Sequence, residues 1–409
     1  MRQLKITNIV WGIVLLVLVI LSIHYAYISA DAPYYLSISR DISNGIIPFK
    51  DVKSIYAPLM MYLNSIIFKI FDNPEYHYFL LFQYFIILVS ATFLYLICKK
   101  LNVNFWRSIF ISLFLFITVL SSDGNYINLE VYIMMFVFIS FWLLINKNFF
   151  WVGMFLSLGF FSKQYGILNF LPFLFLVLIY HKYHYKNLIK FLSGVLMPLL
   201  LFLVYFVLIE DVSFISLLEQ LSGKGYVSGE AYAQTSMASA KSLFSILAGS
   251  KVFILLLIPL FFLKIKPLKN KIDAVLILGI AVNLIPAFIQ NFQHYFILTY
   301  PYIFILMARN YKNFDKRFLL VLNIMLVIIS VLLFLRIFRY KDVYDEQLRV
   351  SEKFKVEYPI GSKVFLSGGI RYLYILNDYH NPALDQMGYA YDFYPDEDFK
   401  KEYDVLSLE

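Results

Sequence analysis

The sequence predicts an α-helical polytopic membrane protein with about eleven transmembrane helices and a small extracytoplasmic α/β appendage at its C-terminal end. Three observations carry that prediction. Hydrophobic residues make up 61% of the chain and charged residues 15%, against roughly half and a quarter in soluble domains. The apolar residues fall in long uncharged runs, beginning with residues 7–27. About 20 such residues cross the hydrocarbon core as a helix. Finally, the basic residues concentrate in alternate loops between the runs.

Helices are the expected form of the runs because each satisfies its own backbone hydrogen bonds in lipid. A barrel strand would alternate apolar and polar residues, and these runs do not. The predicted spans are 7–27, 78–98, 107–122, 128–146, 149–162, 165–181, 188–209, 249–264, 272–290, 294–309 and 317–338. The fifth and tenth are short. The first is too long for a signal-peptide core and lacks a small-residue cleavage site, so it reads as a retained span.

Orientation follows from lysine and arginine in the short loops. With Arg2 and Lys5 in the cytoplasm, the alternate loops hold Lys99, Lys100 and Arg107; Lys147; and Lys182, Lys186 and Lys190. The later ones hold Lys264, Lys266, Lys269 and Lys271, then Arg309, Lys312, Lys316 and Arg317. Every strongly basic short loop lands on one side, which one missed span would scramble. An odd number of spans places the C-terminus outside. The net charge of +8 is therefore read as loop charge facing the cytoplasm, with no nucleic-acid partner. The single cysteine, Cys98, excludes an intrachain disulfide and reads as packing at a helix end. No cysteine pair and no His-x-x-x-His spacing points to a structural metal.

This topology yields a transmembrane domain over 1–338 and an extracytoplasmic domain over 339–409. Its large outer segments are 28–77, 210–248 and the tail. In the tail, Val343 to Tyr358 looks helical, Pro359-Ile-Gly361 looks like a turn, and Lys363-Val-Phe-Leu-Ser looks like a strand. A further apolar run follows at Tyr372-Leu-Tyr-Ile-Leu. The absence of an internal repeat counts against an inverted-repeat transporter.

The first outer loop is where chemistry is expected. Asp31 is placed to cap a helix with Pro33 in its first turn, and Asn44-Gly45 stops it. Tyr35, Leu36, Ile38 and Ile42 beside Ser37, Arg40 and Asp41 suggest a helix lying at the membrane surface. After a turn at Pro48, Pro58 opens a second short helix ending at Asp72-Asn-Pro74. Asp41 and Asp51 are expected to be solvated.

This order of a first span, an acidic residue, a short helix, Gly45-x-x-Pro48, then Pro58-Leu59 and an apolar helix resembles the GT-C glycosyltransferases. The nearest likeness is to the protein O-mannosyltransferase and aminoarabinose-transferase type, glycosyltransferase family 39 and its bacterial relatives. Gly159-Phe-Phe-Ser-Lys163 is similar to that family's Gly-Leu-x-x-Leu-Thr-Lys, and His294-Tyr295 with Pro301 matches a late span. The matches cover residues 7 to about 310. Where the family has Asp-Glu, this chain has Asp31-Ala32. Where the aminoarabinose branch has Lys-Pro-Pro, it has Tyr56-Ala57-Pro58.

The resemblance implies transfer of a sugar from a polyprenyl-phosphate carrier to a saccharide, lipid or protein acceptor at the outer membrane face, in a bacterial plasma membrane. Such a displacement needs a base for the acceptor hydroxyl, and cations or hydrogen-bond donors for the departing phosphate. Asp31 is the candidate base or a helix cap; both roles can coexist. Lys163 is a candidate phosphate contact or a lysine snorkelling from a short turn. His294 is a phosphate donor or an interfacial histidine. Arg40 and Lys53 are further candidates, equally explained by lipid headgroups.

Asp123, Asn125, Asn128 and Glu130 form a polar cluster between the third and fourth spans. There Glu130 would orient the acceptor or bind a metal such as a divalent cation. Tyr34, Tyr35 and Tyr56 are candidates to stack on a sugar ring. Two other readings stand beside the transferase: a transporter or flippase of lipid-linked saccharides, which would show charges or broken helices in mid-span, and a polymerase relying on outer-loop arginines.

Overall fold

The computed structural model describes residues 2–29, 31–52, 54, 56–71, 74–180, 185–221, 251–262, 270–290, 293–310, 316–359, 362, 364–366, 372–377 and 404–406. Helices dominate. In chain order they are α1 (Arg2–His24), α2 (Ala32–Ser43), α3 (Leu59–Ile70), α4 (Tyr76–Lys100), α5 (Phe105–Val119), α6 (Glu130–Ile145) and α7 (Phe149–Ser162). Then come α8 (Phe170–Tyr180), α9 (Tyr185–Leu203), α10 (Phe214–Leu221), α11 (Lys251–Phe262), α12 (Lys271–Asn283), α13 (Ile285–Gln290), α14 (Tyr300–Arg309), α15 (Lys316–Glu357) and α16 (Leu373–Leu376).

Each of the predicted apolar segments falls on one or more of these helices. Among the described residues, 6 helical stretches are long and apolar enough to cross a membrane. The chain is thus a multi-pass α-helical membrane protein. Apolar surface is left uncovered on α1, where Ile6, Ile9, Val10, Ile13, Leu16, Val17 and Ile20 are all exposed, as suits a helix in contact with lipid. In contrast, α6 is apolar on every side and almost wholly buried, as expected for a helix at the centre of a bundle.

The chain divides into two compact units. The first comprises residues 1–22, 83–200 and 233–336. Its helices pack closely where side chains are small. A Cβ on Gly153 of α7 would overlap the Phe191 carbonyl of α9, and one on Gly194 would overlap the Phe150 carbonyl. Reciprocal glycines thereby bring two backbones into direct contact, a recurrent way to join helices where burial of apolar surface gives no driving force. Turns between helices use capping residues: Asn104 accepts from the Trp106 amide, and Asn270 from those of Ile272 and Asp273. Polar side chains also tie helices together. The Trp11 indole donates to Asn323 Oδ1 at 3.0 Å, and Arg309 donates to Asp273 at 3.0 Å.

The second unit comprises residues 23–82, 201–232 and 337–409. Here α2 packs on α3. Phe49, Phe206, Val212 and Leu217 form a small core that joins the first loop to the segment around α10. Gln220 reinforces it by accepting from the Ser54 amide at 3.0 Å and donating to the Phe49 carbonyl at 3.1 Å. Lys50 pairs with Glu210 at 3.2 Å. Two short strands, Val364–Leu366 and Asp404–Leu406, pair in parallel. Most of 210–248 and of the tail beyond Asn377 lies outside the described residues.

Three expectations are corrected. First, α2 does not lie on a surface: Ala32 to Ser39, Asp41 and Ile42 are all buried. Its polar residues are accommodated locally, Ser39 Oγ donating to the Tyr35 carbonyl and Ser43 Oγ to that of Arg40, both at 2.6 Å. Second, Asp41, expected in solvent, is 7% exposed because most of the helix is covered. Third, the last predicted span, 317–338, and the helix expected over Val343 to Tyr358 are not separate elements. The helix α15 continues unbroken for 42 residues, about 63 Å at the α-helical rise, because charged residues replace apolar ones without any glycine or proline to stop it.

Topology is testable at Asn44, which caps the C-terminal end of α2 and is exposed. In a Cys98→Ala background, Asn44→Cys is expected to react in intact cells with a membrane-impermeant maleimide. Labelling only after permeabilisation would overturn the outside placement of the first loop.

Candidate functional site

Buried charge concentrates in the first unit, where several helix ends meet. Glu130 is the first residue of α6. A carboxylate there faces the unpaired amides and positive dipole end of the helix. Lys163 follows the last turn of α7 with extended backbone, φ −162° and ψ 143°. It is only 2% exposed, so it does not snorkel, and its Nζ donates to Glu130 Oε1 at 2.7 Å. The same ammonium donates to the Tyr295 hydroxyl at 3.2 Å and lies 4.7 Å from that ring's centroid. Buried charges of this kind persist only when paired and hydrogen-bonded.

Next to this pair lies a broken helix. After α5 a π-helical turn spans Leu120–Gly124, and inside it Ser122 leaves helical geometry while Asp123 adopts φ 69°, ψ 4°. That left-handed conformation is open to aspartate and asparagine more readily than to most residues. The Asp123 side chain is buried and accepts from Arg336 of α15. Arg336 also donates to the Ser121 carbonyl at 3.3 Å and stands 5.7 Å from the Tyr126 ring centroid. Ser122 Oγ and the Tyr300 hydroxyl are 2.5 Å apart.

His294 links the two ion pairs. Its Nδ1 lies 3.9 Å from Asp123 Oδ2 and its Nε2 lies 3.9 Å from Glu130 Oε1. These distances exceed hydrogen-bonding range, and the ring acts on the two carboxylates as a cation only when it is protonated. Among the described residues, no group of three His, Cys, Asp or Glu is arranged to hold a metal ion.

The backbone between the broken helix and α6 is held by Gln83 of α4. Its Nε2 donates to the Gly124 carbonyl at 2.9 Å and to the Tyr126 carbonyl. Its Oε1 accepts from the Asn128 amide at 2.7 Å. Asn128 Oδ1 in turn accepts from the Glu130 amide at 3.4 Å. The Tyr84 hydroxyl adds a bond to the Asn125 carbonyl at 3.3 Å.

The structure therefore brings together Asp123, Asn128, Glu130, Lys163 and His294 from the sequence-predicted set. Sequence reasoning missed Arg336, read as the end of a span, and Gln83, a single polar residue in an apolar run. An isolated glutamine in such a run is itself the signal that could have found it, because its amide demands partners in an apolar surrounding.

The remaining candidates belong to the second unit. Asp31 is corrected as a cap: its own backbone is already helical at φ −87°, ψ −28°, and its side chain makes no capping hydrogen bond. Arg40 donates to the Tyr374 carbonyl at 3.4 Å. The rings of Tyr34, Tyr35 and Tyr56 pack mutually edge-on, with centroids 5.6 to 5.8 Å apart. Tyr34 and Tyr35 are buried. Asp51 accepts from the Ile47 amide at 2.8 Å and shapes the turn after Pro48. Lys53 lies outside the described residues.

No protein-family model matches the chain, and no curated protein matches it.

The Glu130–Lys163 pair makes an energetic prediction. Glu130→Gln and Lys163→Met each leave a buried charge unpaired and are expected to lower unfolding free energy in detergent by about 3–5 kcal/mol. The double substitution is expected to cost less than their sum by about 1–3 kcal/mol. Simple additivity in chemical unfolding would show that the two side chains do not act as a pair.

Proposed function

We propose that the chain is a glycosyltransferase that moves a sugar from a polyprenyl-phosphate carrier to an acceptor hydroxyl at the extracytoplasmic face of a bacterial plasma membrane. In this reading the chain crosses about eleven times, with its N-terminus cytoplasmic and its C-terminal α/β appendage outside.

One observation carries the proposal: two carboxylates, a lysine, an arginine and a histidine are gathered in one buried cluster, in a chain only 15% charged. Groups of this kind inside an apolar helix bundle are costly and mark functional sites. They also suit the chemistry. As the anomeric carbon–oxygen bond breaks, its electron pair leaves with the polyprenyl phosphate, whose charge needs prepositioned cations and donors. Lys163 and His294 are assigned to that phosphate, with Glu130 as the counterion that Lys163 holds at rest. Asp123 and Asn128 are assigned to the acceptor or sugar. The acceptor hydroxyl gives its proton to Asp31, an assignment that rests on the resemblance of the first loop to GT-C enzymes. Arg40, Lys53 and the Tyr34–Tyr35–Tyr56 cluster are secondary candidates for donor and sugar contacts.

A second reading, translocation of a lipid-linked saccharide, draws support from the helix broken at Leu120–Gly124 beside buried charges, a feature common at transporter substrate sites. Enzyme and transporter separate in a pair of assays, transfer in nanodiscs and translocation in sealed vesicles. Protein in nanodiscs, given labelled polyprenyl-phospho-sugars and candidate acceptors, is expected to transfer the sugar. Asp31→Asn is expected to lower kcat by about 10²–10⁴-fold with unchanged expression. Saccharide movement across vesicles without any transfer product would overturn the transferase reading, and near-normal turnover by Asp31→Asn would remove Asp31 as the base.

A further inference from the structure

Residues 25–29, which follow α1, carry no regular structure, yet they are held at successive points by the far end of α15, within the second unit. Tyr25 lies against Phe338, with ring centroids 5.9 Å apart, and under the Lys341 ammonium at 5.5 Å. Tyr27 stacks on Tyr340, with centroids 4.5 Å apart and planes inclined by 15°. The segment then reaches Ile28, whose two backbone groups are both taken by one side chain. The Ile28 amide donates to Gln347 Oε1 at 3.3 Å, and Gln347 Nε2 donates to the Ile28 carbonyl at 3.0 Å.

Both residues are buried, Ile28 at 1% and Gln347 at 6% exposed. A buried, irregular backbone must find partners for its amide and carbonyl. A carboxamide carries its donor and its acceptor on separate atoms of one planar group, and so can pair with an amide and a carbonyl at once. Asp31 begins its helix three residues further on.

The other end of α2 is held by the same part of the chain. Arg40 donates to the Tyr374 carbonyl at 3.4 Å, and the Tyr374 hydroxyl donates to the Val364 carbonyl at 3.2 Å. Asn377 fixes that short helix to α15, donating to the Ser351 carbonyl at 3.1 Å and accepting from the Ser351 hydroxyl.

We infer that Gln347 is a positioning residue: it fixes the Ile28 backbone so that the entry to α2, and with it the Asp31 carboxylate, is held in one place. The inference rests on the proposed role of Asp31 as base. It makes the extracytoplasmic end of α15 a part of the catalytic apparatus, acting through the first loop without touching substrate.

The test uses the full-length protein and two readouts. Gln347→Leu keeps the volume and removes both hydrogen bonds; Gln347→Glu keeps an acceptor for the Ile28 amide. By hydrogen–deuterium exchange, Gln347→Leu is expected to speed exchange of the peptide containing Ile28 by about 5–10-fold, the loss of about one hydrogen bond's net free energy. The glutamate variant is expected to fall between it and the wild type. Protection of α6 and α7 is expected to be unchanged, which separates a local effect from general misfolding. In the transfer assay, Gln347→Leu is expected to lower kcat about tenfold with KM within twofold, and Gln347→Glu to recover part of the loss. Unchanged exchange at Ile28 would overturn the clamp. Faster exchange with wild-type kcat would overturn the positioning role. Failure of the proposed function would show instead as absent transfer in the wild type, whatever the exchange result.

Discussion

Lys163 and Glu130 are each almost fully withdrawn from solvent, and neither could remain ionised there alone. Their attraction at 2.7 Å is worth about 6 kcal/mol at an effective dielectric of 20, a sum that desolvation of both groups largely offsets. The pair is therefore a constraint more than a source of stability. It requires the end of α7 and the start of α6 to meet, and the tight turn of the chain at Lys147, with φ 63°, makes that possible. Once they meet, Tyr295 and His294 are drawn to the same place. The second pair, Asp123 with Arg336, obeys the same rule from the opposite side of His294.

Much of this was legible in the sequence, and the rest was not for identifiable reasons. Hydropathy locates helices well because lipid and a bundle core both select apolar residues over the same lengths. It does not join the last span to the helix read at Val343 to Tyr358, which α15 makes one element, because hydropathy reports where a helix leaves the membrane and carries no information on where the helix ends. It fails at α2 too: a mixed helix looks like a surface helix until Arg40 and Ile28 find partners more than 300 residues away. Lys163, Glu130, His294 and Asp123 were each conspicuous as charges beside apolar runs. Their convergence was invisible, since it depends on which helix ends meet. Arg336 was hidden by its place within the apolar run of α15.

The broken helix at Leu120–Gly124 shows how a site can be shaped without strain spreading. Asp123 takes a left-handed conformation that few residues accept. Gln83 satisfies the Gly124 and Tyr126 carbonyls and the Asn128 amide, and Tyr84 and Arg336 take the Asn125 and Ser121 carbonyls, so side chains make up for part of the local loss of helical hydrogen bonds. The geometry of the turn and the charge of Asp123 are separable properties. Asparagine tolerates the same backbone, so the anion opposite Arg336 can in principle be removed without releasing the turn.

The bonds that secure the first loop have a bearing on how the protein is made. Ile28 and Gln347 are 319 positions apart, and Arg40 and Tyr374 are 334 apart. At a synthesis rate of about 5–20 residues per second, the entry to α2 waits on the order of tens of seconds for its partners. Throughout that interval α2 can pack on α3, but the Ile28 amide and carbonyl are without the side chain that pairs with them. Maturation of the first loop is thus tied to synthesis of α15, and a product truncated before Gln347 would lack the side chain that pairs with the Ile28 backbone.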